Sequence, residues 1–433
     1  MRITLLTVGT RGDVEPFLAL GAALRRSGHQ VCLGTSREFR GRVEACGLRF
    51  AEIGINPSEL LGDHRGQRWI SGGRGMMGDM MRLRHVVYPL LERYARDALA
   101  ACEDADALLY TPLTKGDYIA RLLDIPGIVV ALWPVSRTSA FPALGFPQLP
   151  VLGGPYNRAT HKMLEQLSWR PFQRQANRVR RSLDLEPFPR GTPLGRMHRE
   201  GCPVVYGFSE AVVPRPRDWP QSVSVTGYWF GDVPNGYQPP DELARFLDAG
   251  EPPVVITFGS MTAWNPRELG NTALETLRRT GRRGVLVGAM EFDEEELEAT
   301  HDAGVEMVHV PEVPYSWLFP RVAAVAHHGG AGTTAAAMRA GVPSVVVPFF
   351  GDQPFWAHRA CDLGAGPQPV RRQRLSAERL AVRVEKAVAT PAIRNQAARV
   401  GASLRSEDGL ARAVAEIESY LAPTSSTSRV SVR

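Results

Sequence analysis

Cysteine is sparse in this 433-residue chain, and what there is lies scattered: Cys32, Cys46, Cys102, Cys202 and Cys361 form no CxxC pair and no Cys/His spacing of a zinc site. An odd, dispersed set predicts free thiols in a reducing compartment, not a disulfide framework. Long apolar runs are missing too. The N-terminal run over residues 3–8 is too short for a signal-peptide core or a membrane span, and no window approaches about 18 uninterrupted apolar residues. A cytoplasmic protein without stable membrane insertion is expected, with transient membrane contact at most. Blocks of Lys or Arg are absent, although basic residues exceed acidic ones by 51 to 45. The resulting +6 suits an anionic ligand or a membrane surface, or serves solubility alone; without clustering it argues against nucleic acid as a partner.

What is present is an alternation. Short apolar runs at 3–8, 30–35, 48–53, 107–112 and 127–132 read as strands, and the run 15–28 between the first two reads as a helix with Pro16 in its first turn and Gly28 at its end. Strand–helix–strand alternation predicts a parallel sheet covered on both faces. Residues 133–210 break the pattern with aromatics, Pro and Arg, then long amphipathic helices. Proline-dense stretches at 212–221 and 231–243 read as an inter-domain crossing. Strand signals resume at 253–260, 283–288, 305–310, 322–328 and 343–349. The expectation is an α/β chain of two facing Rossmann-like, doubly wound domains with a cleft between them. The first spans 1–213, the linker 214–242 and the second 243–405. A final helix over 406–421 packs back toward the first domain, and 422–433 is a Ser/Thr-rich tail.

In open α/β sheets ligands bind at the carboxyl ends of strands, so candidate chemistry is sought in the loops there. "VAHHGGAGTT" (325–334) places glycines at a strand-to-helix turn, where the backbone can approach a ligand and the helix start offers free N–H groups suited to a phosphate. His328, Gly330, Ala331, Gly332 and Thr333 are its candidate donors. A tight turn with no ligand is the alternative, since the stretch lacks both the P-loop lysine and the GxGxxG spacing. "FFGDQPFWA" (349–357) sets Asp352 beside Gln353, a pair able to read vicinal hydroxyls or, for Asp352, to cap a helix. "FGSM" (258–261) offers Ser260, and "HVPEVP" (309–314) offers extended backbone at Val310. "TVGTRGDVEP" (7–16) holds Arg11, Gly12 and Asp13 just before a helix; Asp13 is a carboxylate for the cleft or a cap. Asp104-Ala105-Asp106 has the DxD form of a metal motif but precedes a strand, so it reads as a helix-to-strand connection and no metal is expected. Trp133, Phe141, Phe146 and Trp169 are candidates for an apolar acceptor wall or for ordinary core. The Met- and Gly-rich stretch 72–87, with Met76 and His85, suits an adaptable lid or a plain loop and helix, and His85 is a second candidate base.

These loops, in this order, resemble the GT-B glycosyltransferases of family 1, in particular the bacterial branch of the glycopeptide-antibiotic glycosyltransferases and the sterol 3β-glucosyltransferases. The resemblance rests on "GTRGDVEPFLALG" (9–21), "FGSM" and the long stretch 313–359. "RTSAFP" (137–142) and 156–169 are similar to the sterol-type subgroup. It implies an inverting transfer of a hexose from a UDP- or TDP-sugar, bound by the C-terminal half, to a hydroxyl of a lipophilic sterol, polyketide or other natural product. The nucleotide sugar is a co-substrate and no cofactor is implied. On this resemblance His328 contacts the diphosphate, Gly330, Gly332 and Thr333 donate to the phosphates, and Ser260 adds a further contact. Asp352 and Gln353 hold the sugar hydroxyls, the Val310 backbone reads the pyrimidine, and Asp13 is the general base. Arg11, Gly12 and Ala331 fall on the donor side; Met76, His85, Trp133, Phe141 and Phe146 on the acceptor side. The N-terminal loop lacks the histidine base of plant members, and His309 stands where their donor motif has tryptophan. A nucleotide-sugar epimerase of the same fold and a non-catalytic nucleotide-sugar or lipid-binding protein are the other readings. Either a monomer or a homodimer fits.

Overall fold

The computed structural model describes residues 1–54, 90–182, 184–188, 190–231 and 236–422. Met76, His85 and the stretch read as a lid lie outside the described residues. Twelve strands among them form two sheets, and every strand pair is parallel.

The first sheet contains β1 (Arg2–Leu6), β2 (Gln30–Thr35), β3 (Arg49–Glu52), β4 (Ala107–Tyr110), β5 (Gly127–Ala131), β6 (Val204–Tyr206) and β7 (Val223–Val225), in the order β3-β2-β1-β4-β5-β6-β7. The order reverses at β1 and β4, so the crevice of this domain opens where the loops after β1 and β4 leave the sheet. The second sheet contains β8 (Val254–Thr257), β9 (Gly284–Val287), β10 (Met307–Val310), β11 (Ala324–His327) and β12 (Ser344–Val346), in the order β10-β9-β8-β11-β12. Its reversal lies between β8 and β11. The loops after those two strands are "FGSM" and "HHGGAG".

Strands buried on both faces read as near-continuous apolar runs. That explains why ten of the twelve were visible in the sequence and two were not. β6 and β7 are three residues each. β7 sits within the stretch expected to be linker, and the proline-rich 212–221 connects it to β6. The first domain therefore keeps its chain longer than the proline density suggested, because short edge strands tolerate flanking prolines.

The two domains share an apolar contact. Trp356 and Ala360, from the helix Gln353–Asp362, pack into the same cluster as Tyr206, Phe208 and Trp219 of the first domain. The Phe208 and Trp356 rings lie 6.1 Å apart. Arg359 donates from Nε and Nη2 to the Val212 carbonyl at 2.8 and 2.6 Å. The last helix, Gly409–Leu421, returns to the first domain, where Ala413, Val414 and Ile417 bury beside Phe17 and Leu20.

Candidate functional site

The loop after β1 turns directly into the helix Arg11–Arg26. Asp13, in its first turn, folds back on the loop: Oδ2 accepts the Thr10 N–H at 2.8 Å and the Thr10 hydroxyl at 3.2 Å. Gly9 makes room for this. A Cβ there would stand 2.3 Å from Asp13 Oδ2, so any side chain would displace the carboxylate. Asp13 is therefore not the N-cap itself, which is Thr10, but the N3 partner in its capping box. Asp13 is half-buried, and burial pushes its pKa up to about 6, with the two Thr10 donors holding it back. Arg11 takes no part in this balance. Its guanidinium turns away to Glu312 at 2.6 Å and Glu15 at 3.2 Å.

The strand β11 ends at His327, and the helix Ala331–Ala340 begins four residues later. Gly329 has φ of +87°, and a Cβ there would meet Val346 at 2.7 Å. The His328 ring fills a slot between two glycines: a Cβ on Gly259 would lie 2.7 Å from its Cε1, and one on Gly330 would lie 2.6 Å from its Nε2. Its Nδ1 is buried without a partner. Burial holds His328 down at about 4, so the ring is neutral at neutral pH in the ligand-free chain. His327 belongs to the strand end. Its Nδ1 accepts the Gly329 N–H at 3.1 Å, and burial first, then His328, lower it to about 3. Thr333 is buried and neighbours the Tyr315 hydroxyl, which shares a hydrogen bond with Thr257 Oγ1 at 3.1 Å. Ser260 is exposed, directly after Gly259.

The two helix starts meet across the domain boundary. A Cβ on Gly332 would lie 3.7 Å from the Gly12 carbonyl oxygen and 3.8 Å from Gly12 Cα. Neither position is crowded, since a Cβ on Gly12 would meet nothing within 4 Å, and both helices point their positive ends at this junction. Ala331, one residue earlier, packs against the first domain.

Asp352 stands at the N-cap position of the helix that follows β12 but makes no side-chain capping bond; its Oδ2 instead accepts the Trp356 indole N–H at 2.8 Å. Burial first, and then the negative charge of Asp13, raise it to about 7, while the indole bond works the other way. The two carboxylates therefore sit within electrostatic reach, one from each domain. Gln353 is more committed than expected. Its Oε1 accepts the N–H groups of Phe349 at 2.7 Å and Phe350 at 3.3 Å, which fixes the loop, so its carbonyl is not the group left to read a hydroxyl.

Val310 ends β10, the far edge strand. Three strand spacings of ~4.8 Å put it roughly 14 Å from β11. Its carbonyl already accepts the Gly288 N–H at 3.1 Å. His309 Nε2 pairs with the Gly288 carbonyl at 2.7 Å, and its ring meets Phe292 edge-on at 5.1 Å.

On the acceptor side Phe141 reaches the second domain. Its ring lies 5.7 Å from Phe355, three residues beyond Asp352, and 6.4 Å from Trp219. Trp133 is half-buried against both clusters of the first domain, and Phe146 is half-buried in the loop after Phe141. Trp169 is core, 4% exposed and packed on Tyr118 and Phe188. Asp106 and Asp104 face Arg2 and Arg49 at the amino end of the first sheet, away from this junction. Glu312, Thr10, Tyr315 and Phe355 were not foreseen as parts of the site. Thr10 and Phe355 lie inside the loops read as candidate sites, and Glu312 inside a proline bracket, but the residue types alone did not single them out.

Comparisons with known proteins bear on the family and the fold. Residues 3–142 match the model of the glycosyltransferase family 28 N-terminal domain, and residues 286–418 match that of the erythromycin biosynthesis protein CIII-like C-terminal domain. The chain is 39% identical to the O-mycaminosyltylonolide 6-deoxyallosyltransferase of Streptomyces fradiae over 97% of each chain. It is 35% identical to the sterol 3-beta-glucosyltransferase of Yarrowia lipolytica over 96% of its own length, but spans only 28% of that protein. Among solved structures, the calicheamicin glycosyltransferase CalG4 matches with a TM-score of 0.64 at 21% identity, covering 98% of this chain and 99% of that one. The glycosyltransferase VinC, in complex with dTDP, matches with a TM-score of 0.63 at 18% identity, covering 97% and 99%. With two parallel-sheet domains in the GT-B arrangement and a full-length relative of this similarity, the chain belongs to the glycosyltransferase family that includes these macrolide and sterol enzymes.

Proposed function

We propose that the enzyme moves a hexose from a UDP- or TDP-sugar, with inversion, to a hydroxyl of a lipophilic natural product, Asp13 acting as general base. The observation that carries this reading is the convergence of Asp13 and Asp352 from opposite domains beside the Gly12–Gly332 junction. A base for the acceptor and a reader for the donor sugar then flank one anomeric carbon.

The acceptor hydroxyl attacks that carbon as the bond to the diphosphate breaks. The hydroxyl proton passes to Asp13, and the bond's electron pair leaves with the diphosphate. An ordinary aspartate, near 3.9, is a feeble base at neutral pH. Raised to about 6, Asp13 is still ionised at pH 7 and better matched to the transfer. The charge developing on the diphosphate is met by the start of the helix Ala331–Ala340, the Thr333 and Ser260 hydroxyls and a neutral His328 N–H, dipoles fixed before the reaction begins. Asp352 holds sugar hydroxyls with the carboxylate oxygen that Trp356 leaves open. Phe141 and Trp133 line the acceptor side.

Incubation with radiolabelled UDP- and TDP-hexoses and a panel of hydrophobic alcohols tests the assignment. A β-glycoside from an α-configured donor is expected. An isomerised free donor would point to an epimerase, and donor binding without turnover to a binding protein.

A further inference from the structure

The helix Gly153–Ser182 carries seven Lys and Arg side chains against one acidic residue, a net of +6 that equals the excess of the whole chain. The single acid, Glu165, is spent: it is buried and held by Arg137 at 2.6 and 2.5 Å. Lys162, Arg170, Arg174, Arg178 and Arg181 are exposed and have no ion-pair partner among the described residues; Arg158 faces Asp218 at 3.3 Å. Basic residues on a long helix are commonly a solvated face, and charge alone would decide nothing. A second feature stands at the same place. Val151 is 98% exposed, beside Leu149 and Leu152 in the turn that precedes the helix, and Met163 follows on the exposed face at helical spacing with Pro155 and Ala159. Four of the nine large apolar side chains exposed among the described residues thus fall within 149–163. Protruding aliphatics flanked by unpaired cations are the composition of a surface that enters a bilayer interface and meets anionic headgroups.

This end of the helix also holds the acceptor wall. Asn157 donates to the Ser139 carbonyl at 2.8 Å, Thr160 Oγ1 accepts the Ala143 N–H at 2.9 Å, and His161 Nε2 pairs with the Phe141 carbonyl at 3.2 Å. We infer that Val151 and Leu152, with the arginine-rich helix behind them, form a docking surface for an anionic lipid bilayer, bringing the acceptor side of the cleft to the membrane. A lipophilic acceptor partitions into that phase, so docking shortens its path to Phe141. The purpose assigned to the surface rests on the lipophilic-acceptor reading; its existence does not.

Co-sedimentation of the full chain with vesicles tests it without using activity. Vesicles of phosphatidylcholine containing one-third phosphatidylglycerol are expected to bind at least about tenfold better than phosphatidylcholine alone, with the difference lost at about 1 M salt, where screening acts within ~3 Å. The double variant V151D/L152D and the triple variant R170E/R174E/R178E should each weaken binding by roughly tenfold or more, with Tm and turnover of a water-soluble acceptor preserved. Equal binding to both vesicle types, or none, overturns the proposal. Salt-sensitive binding that ignores V151D/L152D overturns it as well, because the aliphatics would then take no part. Failure of glycosyl transfer to any alcohol would instead count against the function proposed above, whatever the vesicles show.

Discussion

The two domains have the same architecture but unequal duties. In the second, the ligand-facing groups come from strand ends within one sheet, and the backbone does most of the work: Gly259 and Gly330 make the slot for His328, and a helix start supplies the dipole. In the first, the carboxylate proposed as base is Asp13, and its hydrogen bonds are local, made with Thr10 beside Gly9. Binding a diphosphate calls for a cradle of main chain, whereas a base needs a tuned pKa. Damage to the first domain should therefore fall on turnover, and damage to the second on donor affinity.

The sharpest break of that contrast is Asp13→Asn. We expect kcat to fall by about 10² to 10⁴ with donor affinity unchanged in calorimetry. Folded Asp13 has its pKa raised from 3.8 to about 6, so its favourable contribution is present at low pH and is lost as pH rises through 6. The Asn variant should accordingly melt higher than wild type at pH 8, and a lower Tm there would contradict the burial assigned to this group. Gly9→Ala should reproduce much of the kinetic loss, because its Cβ displaces the carboxylate; Gly332→Ala, with its nearest contact at 3.7 Å, should leave Tm nearly unmoved.

On the donor side, His328→Ala should weaken nucleotide binding by roughly tenfold, the value of one hydrogen bond to a charged group. Because the ring is neutral well above 4, wild-type donor affinity should be insensitive to histidine titration between pH 5.5 and 8. A binding step near pH 6.5 would remove the slot geometry from the account.

A subtler test uses pH. The acid limb of kcat/KM should fall near pH 6, set by Asp13, and Thr10→Val should move it upward by removing a hydroxyl that favours the ionised form. The smallest effect belongs to the ion-pair cluster that joins the domains. Arg42 bridges Glu15 and Glu312, reaching the latter at 2.5 Å, and Arg11 meets Glu312 at 2.6 Å. Burial opposes the Glu312 charge, yet Arg11 and Arg42 together hold its pKa below the usual carboxylate range. Glu312→Gln should cost at most about 1 kcal/mol of stability, as for other exposed pairs, while raising donor KM in a manner that high salt reproduces in wild type.

The sequence by itself determined the alternation that makes two parallel sheets, the ten strands other than β6 and β7, the order of the loops at their carboxyl ends and the glycines at the strand-to-helix turns. These are local matters: periodicity, turn chemistry and the absence of a Cβ all act within a few residues. Only the tertiary structure decided the rest. It brought Asp13 within electrostatic reach of Asp352, turned Arg11 away from Asp13 toward Glu312, drew the Gln353 carbonyl into its own loop and separated Phe141 at the domain boundary from Trp169 in the core. It also placed β6 and β7 in the first sheet, where three residues and neighbouring prolines gave too little pattern to read. Whether a carboxylate is a base or a salt-bridge partner depends on what solvent it loses and which charges it meets. The Asp13 hydrogen bonds come from its own loop, while the charge that Asp352 meets comes through the packing of one domain on the other.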